Sequence, residues 1–432
     1  MRVTIITVGT RGDVQPYVAL GLGLQNAGHE VRLGTHPRFE SFVRDRALEF
    51  APLAEGSLSR GSETLEGRKW AEKSSKALPA WVGFLRDAKS VARRRLADCR
   101  DACEGAEAII VSVFGTLLGY HLAEKMRVPL VRAYCTPFGY GLAHASPATS
   151  RVKRVTIPLG AARERLFREA LWQGARPWTN AARRDVLGLP KLPRREFYGR
   201  LDRQRMPLLY GWSPAVFTLP HLDDWVHVTG YWFLDATADW APPASLVEFM
   251  GAGPPPVFVS FGTLTDRNPE ATTAVVLEAL ARADRRGIVL RASVPPHVNL
   301  PRDVFAIDPI PHDWLFPRVA AAVHHGGAGT TGAALRAGLP SVLVPRFGDQ
   351  PFWGRRVADL GVGPPPIPRR RLSAGGLAEA IRIATTDHGV RERATALGER
   401  IRSEDGVARA VEAFERHLVA VAPRRSPVRR SS

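Results

Sequence analysis

A chain of 432 residues, 45% hydrophobic and 24% charged, has the composition of a globular protein and length for two or three well-buried domains. It holds no apolar run near the ~18 residues that a membrane helix needs, and its three cysteines exclude a disulfide framework. The net charge of +18 reads either as a solvated arginine-rich surface or as attraction to an anionic partner such as a sugar nucleotide or membrane face; without zinc spacing, an aromatic RNP run or a basic zipper, no nucleic-acid partner is expected.

Residues 2–8 alternate and are β-branched, which predicts a first strand. They run straight into Gly9-Thr10-Arg11-Gly12-Asp13 without a small-residue cleavage pattern, so the start is not a signal peptide and the expected location is cytoplasmic. After a loop over 9–15, Pro16 suits the first turn of a helix, and Tyr17, Leu20 and Leu24 follow at helical spacing. Gly28 ends that helix and residues 30–34 form the next strand. This opening is Rossmann-like, but G-x-G-x-x-G is absent, so it is no dinucleotide fingerprint.

Residues 48–53 predict another strand, 57–78 a polar irregular stretch and 79–103 a long helix. Cys99 and Cys103 lie four apart on that helix without accompanying histidines and read as helix positions, not metal ligands. A strand over 108–113, a helix over 118–125 and a strand over 129–133 sustain the alternation, which predicts a parallel sheet covered on both faces. Residues 135–150 are rich in Gly, Pro, Ser and aromatics; 157–187 and 189–198 are helical with breaks; 208–218 and 226–231 return to strands. The run 239–256, with Pro242, Pro243, Gly251, Gly253 and three consecutive prolines, predicts a linker between domains over 1–238 and 257–420. Residues 421–432 read as a frayed basic tail, with peripheral contact to an anionic membrane as the alternative.

The second half restarts the same grammar: strands over 257–261, 288–292 and 304–307, and a helix over 270–283. The apolar run 319–323 leads into His324-His325-Gly326-Gly327-Ala328-Gly329-Thr330-Thr331, with a helical segment over 332–337. Glycines at a strand-to-helix turn admit a ligand close to the backbone, and the helix start favours an anion. Taken alone, the stretch reads equally as a phosphate site, with His325 and Thr330 as donors, or as a glycine-rich connection. A strand over 341–344 and helices over 350–360, 373–385 and 390–418 complete the chain. The fold class is thus α/β, with two Rossmann-like halves and a cleft between them.

Four segments together resemble a family: Val8-Gly9-Thr10-Arg11-Gly12-Asp13-Val14-Gln15-Pro16; Ser260-Phe261-Gly262-Thr263; Pro311-His312-Asp313-Trp314-Leu315-Phe316-Pro317; and His324 to Thr331 with Phe347-Gly348-Asp349-Gln350-Pro351-Phe352-Trp353-Gly354. The chain is similar to the inverting nucleotide-sugar glycosyltransferases of the GT-B fold, in the branch of sterol glucosyltransferases and vancomycin- or macrolide-type antibiotic glycosyltransferases. The resemblance implies that the second domain holds a nucleotide-diphosphate sugar. His325, Gly327, Gly329 and Thr330 would contact the diphosphate, with Ser260, Gly262 and Thr263 as a second set. Thr10 and Gly12 would line the same cleft. His312 and Trp314 match the segment beside the nucleobase, and Asp349 and Gln350 the pair that binds the donor sugar. Asp13 matches the general base that takes the acceptor's proton, its plainer alternative being the N-cap of the helix at Pro16. His29, His36 and His324 read as structural, and no second carboxylate orienting the base is evident.

The resemblance also implies that the donor, expected to be UDP-glucose, is a co-substrate, with no cofactor and no metal. The acceptor is expected to be a lipophilic alcohol such as a sterol, hopanoid or polyketide. Trp70, Trp81, Phe84, Phe114, Tyr134, Phe138, Tyr140 and His144 are aromatic candidates for its pocket, though core packing explains them equally. A lipid-linked GlcNAc transferase of cell-wall synthesis and a non-catalytic sugar-nucleotide-binding helper remain as alternatives.

Overall fold

The computed structural model describes residues 1–56, 77–139, 156–219, 222–261 and 268–421. Gly262, Thr263, Trp70, Tyr140, His144, the side chains of Trp81 and Phe84, and the tail beyond Val421 lie outside the described residues.

The first sheet comprises β1 (Arg2–Ile6), β2 (Glu30–Thr35), β3 (Glu49–Pro52), β4 (Ala108–Val111), β5 (Leu130–Tyr134), β6 (Leu208–Tyr210) and β7 (Val226–Val228). Its strands run parallel in the order β3-β2-β1-β4-β5-β6-β7. Every residue of β4 and β5 is buried, as continuous apolar strands covered on both faces require. Among the described residues, six helices belong to this half: α1 (Arg11–Asn26), α2 (Glu40–Arg44), α3 (Ala77–Ala102), α4 (Thr116–Met126), α5 (Thr156–Leu187) and α6 (Phe197–Arg203). Cys99 and Cys103 are buried on α3, as helix positions.

The second sheet comprises β8 (Val257–Ser260), β9 (Gly287–Leu290), β10 (Val304–Ile307), β11 (Ala321–His324) and β12 (Ser341–Leu343), parallel in the order β10-β9-β8-β11-β12. Its helices are α7 (Ala244–Gly251), α8 (Pro269–Arg282), α9 (His312–Leu315), α10 (Ala328–Arg336), α11 (Gln350–Asp359), α12 (Ala374–Thr386) and α13 (His388–Arg402), and α14 (Gly406–Val421) ends the described chain. Both sheets reverse their strand order at their first strand. Such a switch point opens a crevice at the carboxyl ends of the central strands, and Asp13, Ser260 and His325 all follow central strands.

Several local expectations change, and residues 188–196, expected to be helical, form a non-helical connection to α6. The first helix starts at Arg11, not at Pro16, because Thr10 and Asp13 form a capping box; the expected loop is the helix's first turn. The breaks expected over 157–187 are absent: α5 is continuous, with Pro177 inside it. The run 239–256 contains α7, whose Leu246 is fully buried in the second core and whose Phe249 stacks on Phe305 with centroids 5.1 Å apart. Finally, α14 crosses back to the first domain. Its apolar face, Ala410, Val411, Ala413, Phe414 and Leu418, joins the core of Val14, Val18 and Leu20 on α1.

Candidate active site

The site begins where β1 turns into α1. Gly9 has φ +141°, and a Cβ there would run into the Asp13 carboxylate, so glycine meets both a backbone and a space requirement. Thr10 is the N-cap and Asp13 the third helical residue. The backbone N–H and the hydroxyl of Thr10 donate to Asp13 Oδ2 at 2.8 and 2.9 Å, and the Thr7 hydroxyl donates to the Asp13 carbonyl at 2.6 Å. Asp13 is half-buried. Burial pushes its pKa up, while the two Thr10 bonds and the Arg38 cation pull the other way.

In the second domain β11 ends on His324, which is fully buried. Its Nδ1 accepts the Gly326 N–H at 3.1 Å, which shapes the turn in which Gly326 takes φ +86°. His325 follows, half-buried, its Nδ1 buried without a partner among the described residues. Burial, and then the Arg346 cation, push its pKa down to about 4, so at neutral pH the ring is uncharged with one N–H to give. A Cβ on Gly327 would lie 2.6 Å from His325 Nε2; the missing side chain keeps the ring in place. Gly327 caps α10 through backbone alone, so the first amides of that helix have no carbonyl partner within it and carry its positive end.

His312, at the start of α9, lies flat on Phe316 with centroids 4.3 Å apart. Its pKa is pushed down to about 4, first by burial and then by the Arg11 cation, with His325 contributing. Arg11 comes from the first turn of α1, so the two domains meet at these imidazoles. Trp314 is engaged within the protein: the Arg318 guanidinium sits 4.7 Å from its ring and Trp240 packs edge-on at 5.6 Å.

Asp349 stands at the N-cap position of α11 but makes no side-chain cap bond. Its Oδ2 accepts the Trp353 indole N–H at 2.7 Å instead. Burial raises its pKa to about 6, and Asp13 adds to the rise. The Cys135 thiol, at the end of β5, is pushed up by burial and then by Asp13, with Asp349 also contributing; it sits within electrostatic reach of both carboxylates. Gln350 is buried, and its side-chain carbonyl accepts the N–H groups of Arg346 at 2.8 Å and Phe347 at 3.3 Å, folding the loop that carries Asp349.

The structure therefore gathers Thr10, Asp13, His312, His325 and Asp349 at one cleft, with Gly12 on the exposed first turn of α1 and Gly329 and Thr330 in the first turn of α10. Ser260 ends β8 in register with His324 and is buried. Of the aromatic candidates that are described, Tyr134 and Phe138 are core rings and Phe114 is partly exposed. Sequence reasoning gave no site role to Gly9, Arg11, Arg38, Cys135 or Arg346 and read His36 as structural. The Thr10-x-x-Asp13 spacing was a readable capping signal; the others carry no local one.

Comparison with known proteins agrees with this fold. A model described as the glycosyltransferase family 28 N-terminal domain matches residues 3–136. A second, the erythromycin biosynthesis protein CIII-like C-terminal domain, matches residues 274–414; together they cover well over half of the chain. The sterol 3-beta-glucosyltransferase of Aspergillus fumigatus is 36% identical over 97% of this chain and 30% of its own length. That of Saccharomyces cerevisiae is 36% identical over 96% of this chain and 35% of its own. The chain thus spans about a third of the length of these relatives. Among solved structures, a calicheamicin glycosyltransferase superposes with a TM-score of 0.66 at 21% identity, covering 98% of this chain and 99% of that one. A spinosyn forosaminyltransferase does so with 0.67 at 16%, covering 97% and 99%. A Streptomyces glycosyltransferase complexed with thymidine diphosphate matches with 0.60 at 19%, covering 96% and 99%. With two parallel sheets, one glycosyltransferase domain model on each half and similarity to sterol 3-beta-glucosyltransferases along nearly its whole length, the chain has the GT-B fold and is similar to glycosyltransferases of the sterol and macrolide type.

Proposed function

We propose that the chain is an inverting O-glycosyltransferase that moves a hexose, glucose from UDP-glucose in the leading form, onto the hydroxyl of a sterol-like lipophilic acceptor. The observation that carries this reading is the electrostatic contact of Asp13, from the first domain, with Asp349, from the second. A base on one domain within electrostatic reach of a sugar-binding carboxylate on the other would bracket the place where an acceptor oxygen meets an anomeric carbon.

In this reading Asp13 accepts the acceptor's hydroxyl proton as the oxygen attacks the anomeric carbon from the face opposite the leaving group. The bond from that carbon to the diphosphate oxygen breaks, and its electron pair leaves with the nucleoside diphosphate. Charge growing there would be met by a His325 N–H, the Thr330 hydroxyl and the amides that open α10, with Ser260 and, by the resemblance, Gly262 and Thr263 as a second set of contacts. No metal is assigned to the step. Asp349 and Gln350 would hold sugar hydroxyls, and His312 would border the base. The sterol-like acceptor is supported by relatives named sterol 3-beta-glucosyltransferase, and a nucleoside-diphosphate donor by a neighbour holding thymidine diphosphate.

The test is a panel of UDP- and dTDP-hexoses against sterols and other lipophilic alcohols, read by mass spectrometry, with Asp13→Asn alongside. Product with a sterol is expected, and Asp13→Asn should lose about 10²–10⁴-fold in kcat while UDP affinity by calorimetry stays unchanged. An active Asp13→Asn would remove the base assignment.

A further inference from the structure

We propose that His36 and Arg38 are positioning residues that clamp the Gly9 peptide groups and so set where the Asp13 carboxylate lies. The proposal rests on Asp13 being the base and supplies what the sequence left open, the groups that orient it.

Both residues leave the C-terminal end of β2, beside β1 in the sheet. His36 is fully buried; its Nε2 accepts the Gly9 N–H at 3.3 Å, and its Nδ1 is 3.4 Å from the Leu53 carbonyl. A neutral ring protonated on Nδ1 satisfies both contacts. Arg38 Nη2 donates to the Gly9 carbonyl at 2.8 Å, while Nη1 pairs with Glu55 at 3.2 Å. The N–H and C=O of one glycine are thus held from the same neighbouring turn. That glycine has a backbone conformation other residues avoid, and its Cα faces the Asp13 carboxylate with no room for a Cβ. A shift of this peptide would move the Thr10 N–H and hydroxyl that bind Asp13. The groups around the carboxylate are Thr10 on its own element, Arg38 from the β2 turn, Tyr17 and Cys135 from the first domain, and Asp349 from the second. Arg38 is the cation among them, so it also favours the ionised base. His36, held near pKa 3 by burial and then by Arg95, stays neutral through the working range and acts by geometry alone.

The experiment records the pH profile of kcat/KM for sterol glucosylation, with UDP affinity by calorimetry, for wild type, Arg38→Gln, Arg38→Lys, His36→Gln, His36→Leu and Asp13→Asn. Arg38→Gln should move the acid limb to higher pH, cutting kcat/KM up to about tenfold on the acid side of the limb for a shift of one pKa unit, with UDP affinity unchanged. Arg38→Lys should keep the limb near wild type. His36→Gln, which retains an acceptor, should keep far more activity than His36→Leu. A wild-type acid limb in Arg38→Gln overturns the role of Arg38. Equal activity in His36→Gln and His36→Leu overturns that of His36, and this pair carries the test should Arg38→Gln not fold. An active Asp13→Asn strikes the base assignment instead, so the two failures are told apart.

Discussion

At the scale of single residues, the proposed diphosphate half of the site depends on an atom that is missing. A Cβ on Gly327 would lie 2.6 Å from His325 Nε2, so Gly327→Ala is expected to turn the ring away from the α10 start. One hydrogen bond to a charged group is worth about 1.5–3 kcal/mol. Gly327→Ala and His325→Ala should therefore each weaken UDP binding about tenfold to a hundredfold, read by calorimetry. Unchanged affinity in His325→Ala would take that ring out of the diphosphate contact. Because His325 has a pKa of about 4, UDP affinity should not show an imidazole titration near pH 6.5. His325 and Asp13 were legible in the sequence because each sits in a short contiguous motif. His36 and Arg38 were not, because they reach Gly9 only through the pairing of Ile6 with Gly34, and Thr7 N–H to the Gly34 carbonyl at 3.0 Å.

At the scale of elements, α1 joins site and scaffold. Its N-terminus presents Asp13 while its other face receives α14. Gly23, in the last turn of α1, packs directly against Val407, and a Cβ there would overlap that side chain. Helix propensity alone favours Gly23→Ala by about 1 kcal/mol. Overpacking typically costs about 1–3 kcal/mol, and a branched side chain under backbone has little room to give. Gly23→Ala is therefore expected to lower stability in urea; a gain would mean that α14 accommodates the methyl by sliding. Phe414, fully buried against His29 with centroids 5.6 Å apart, should cost about 3–5 kcal/mol as Phe414→Ala, measured the same way. The apolar face of α14 was readable from its helical spacing. Its partner was not, since periodicity states that a face must be covered and not by which domain.

At the scale of the whole molecule, buried neutral histidines dictate how stability responds to acid. His36 and His121 are held near pKa 3, and His312 and His325 near 4, in each case first by burial. In the unfolded chain each would titrate near 6.5. As pH falls from 6.5 towards 4, the unfolded chain takes up protons that the folded chain refuses, so folding weakens. Asp349 opposes this: its folded pKa of about 6 lies above the unfolded value, so in that window the folded chain binds its proton more tightly. Asp13 and Glu404 are raised as well, but with His324 also held low the buried imidazoles outnumber the raised carboxyls, so the net sign is acid-destabilising and Tm at pH 5 should fall below that at pH 7. A higher Tm at pH 5 would mean that these rings are not held neutral.

The sequence by itself determined the α/β alternation, the two parallel sheets and the identity of the motifs. These follow from strand and helix periods and from glycine chemistry, which act over a few neighbouring residues. What only the tertiary structure decided is how distant pieces meet. Pairing of β1 with β2 puts the His36 and Arg38 turn around Gly9. The return of α14 ties the end of the chain to α1. The meeting of the two domains brings Asp13 within electrostatic reach of Asp349, more than three hundred residues away. Such contacts depend on which buried faces find each other, which is a property of the folded whole.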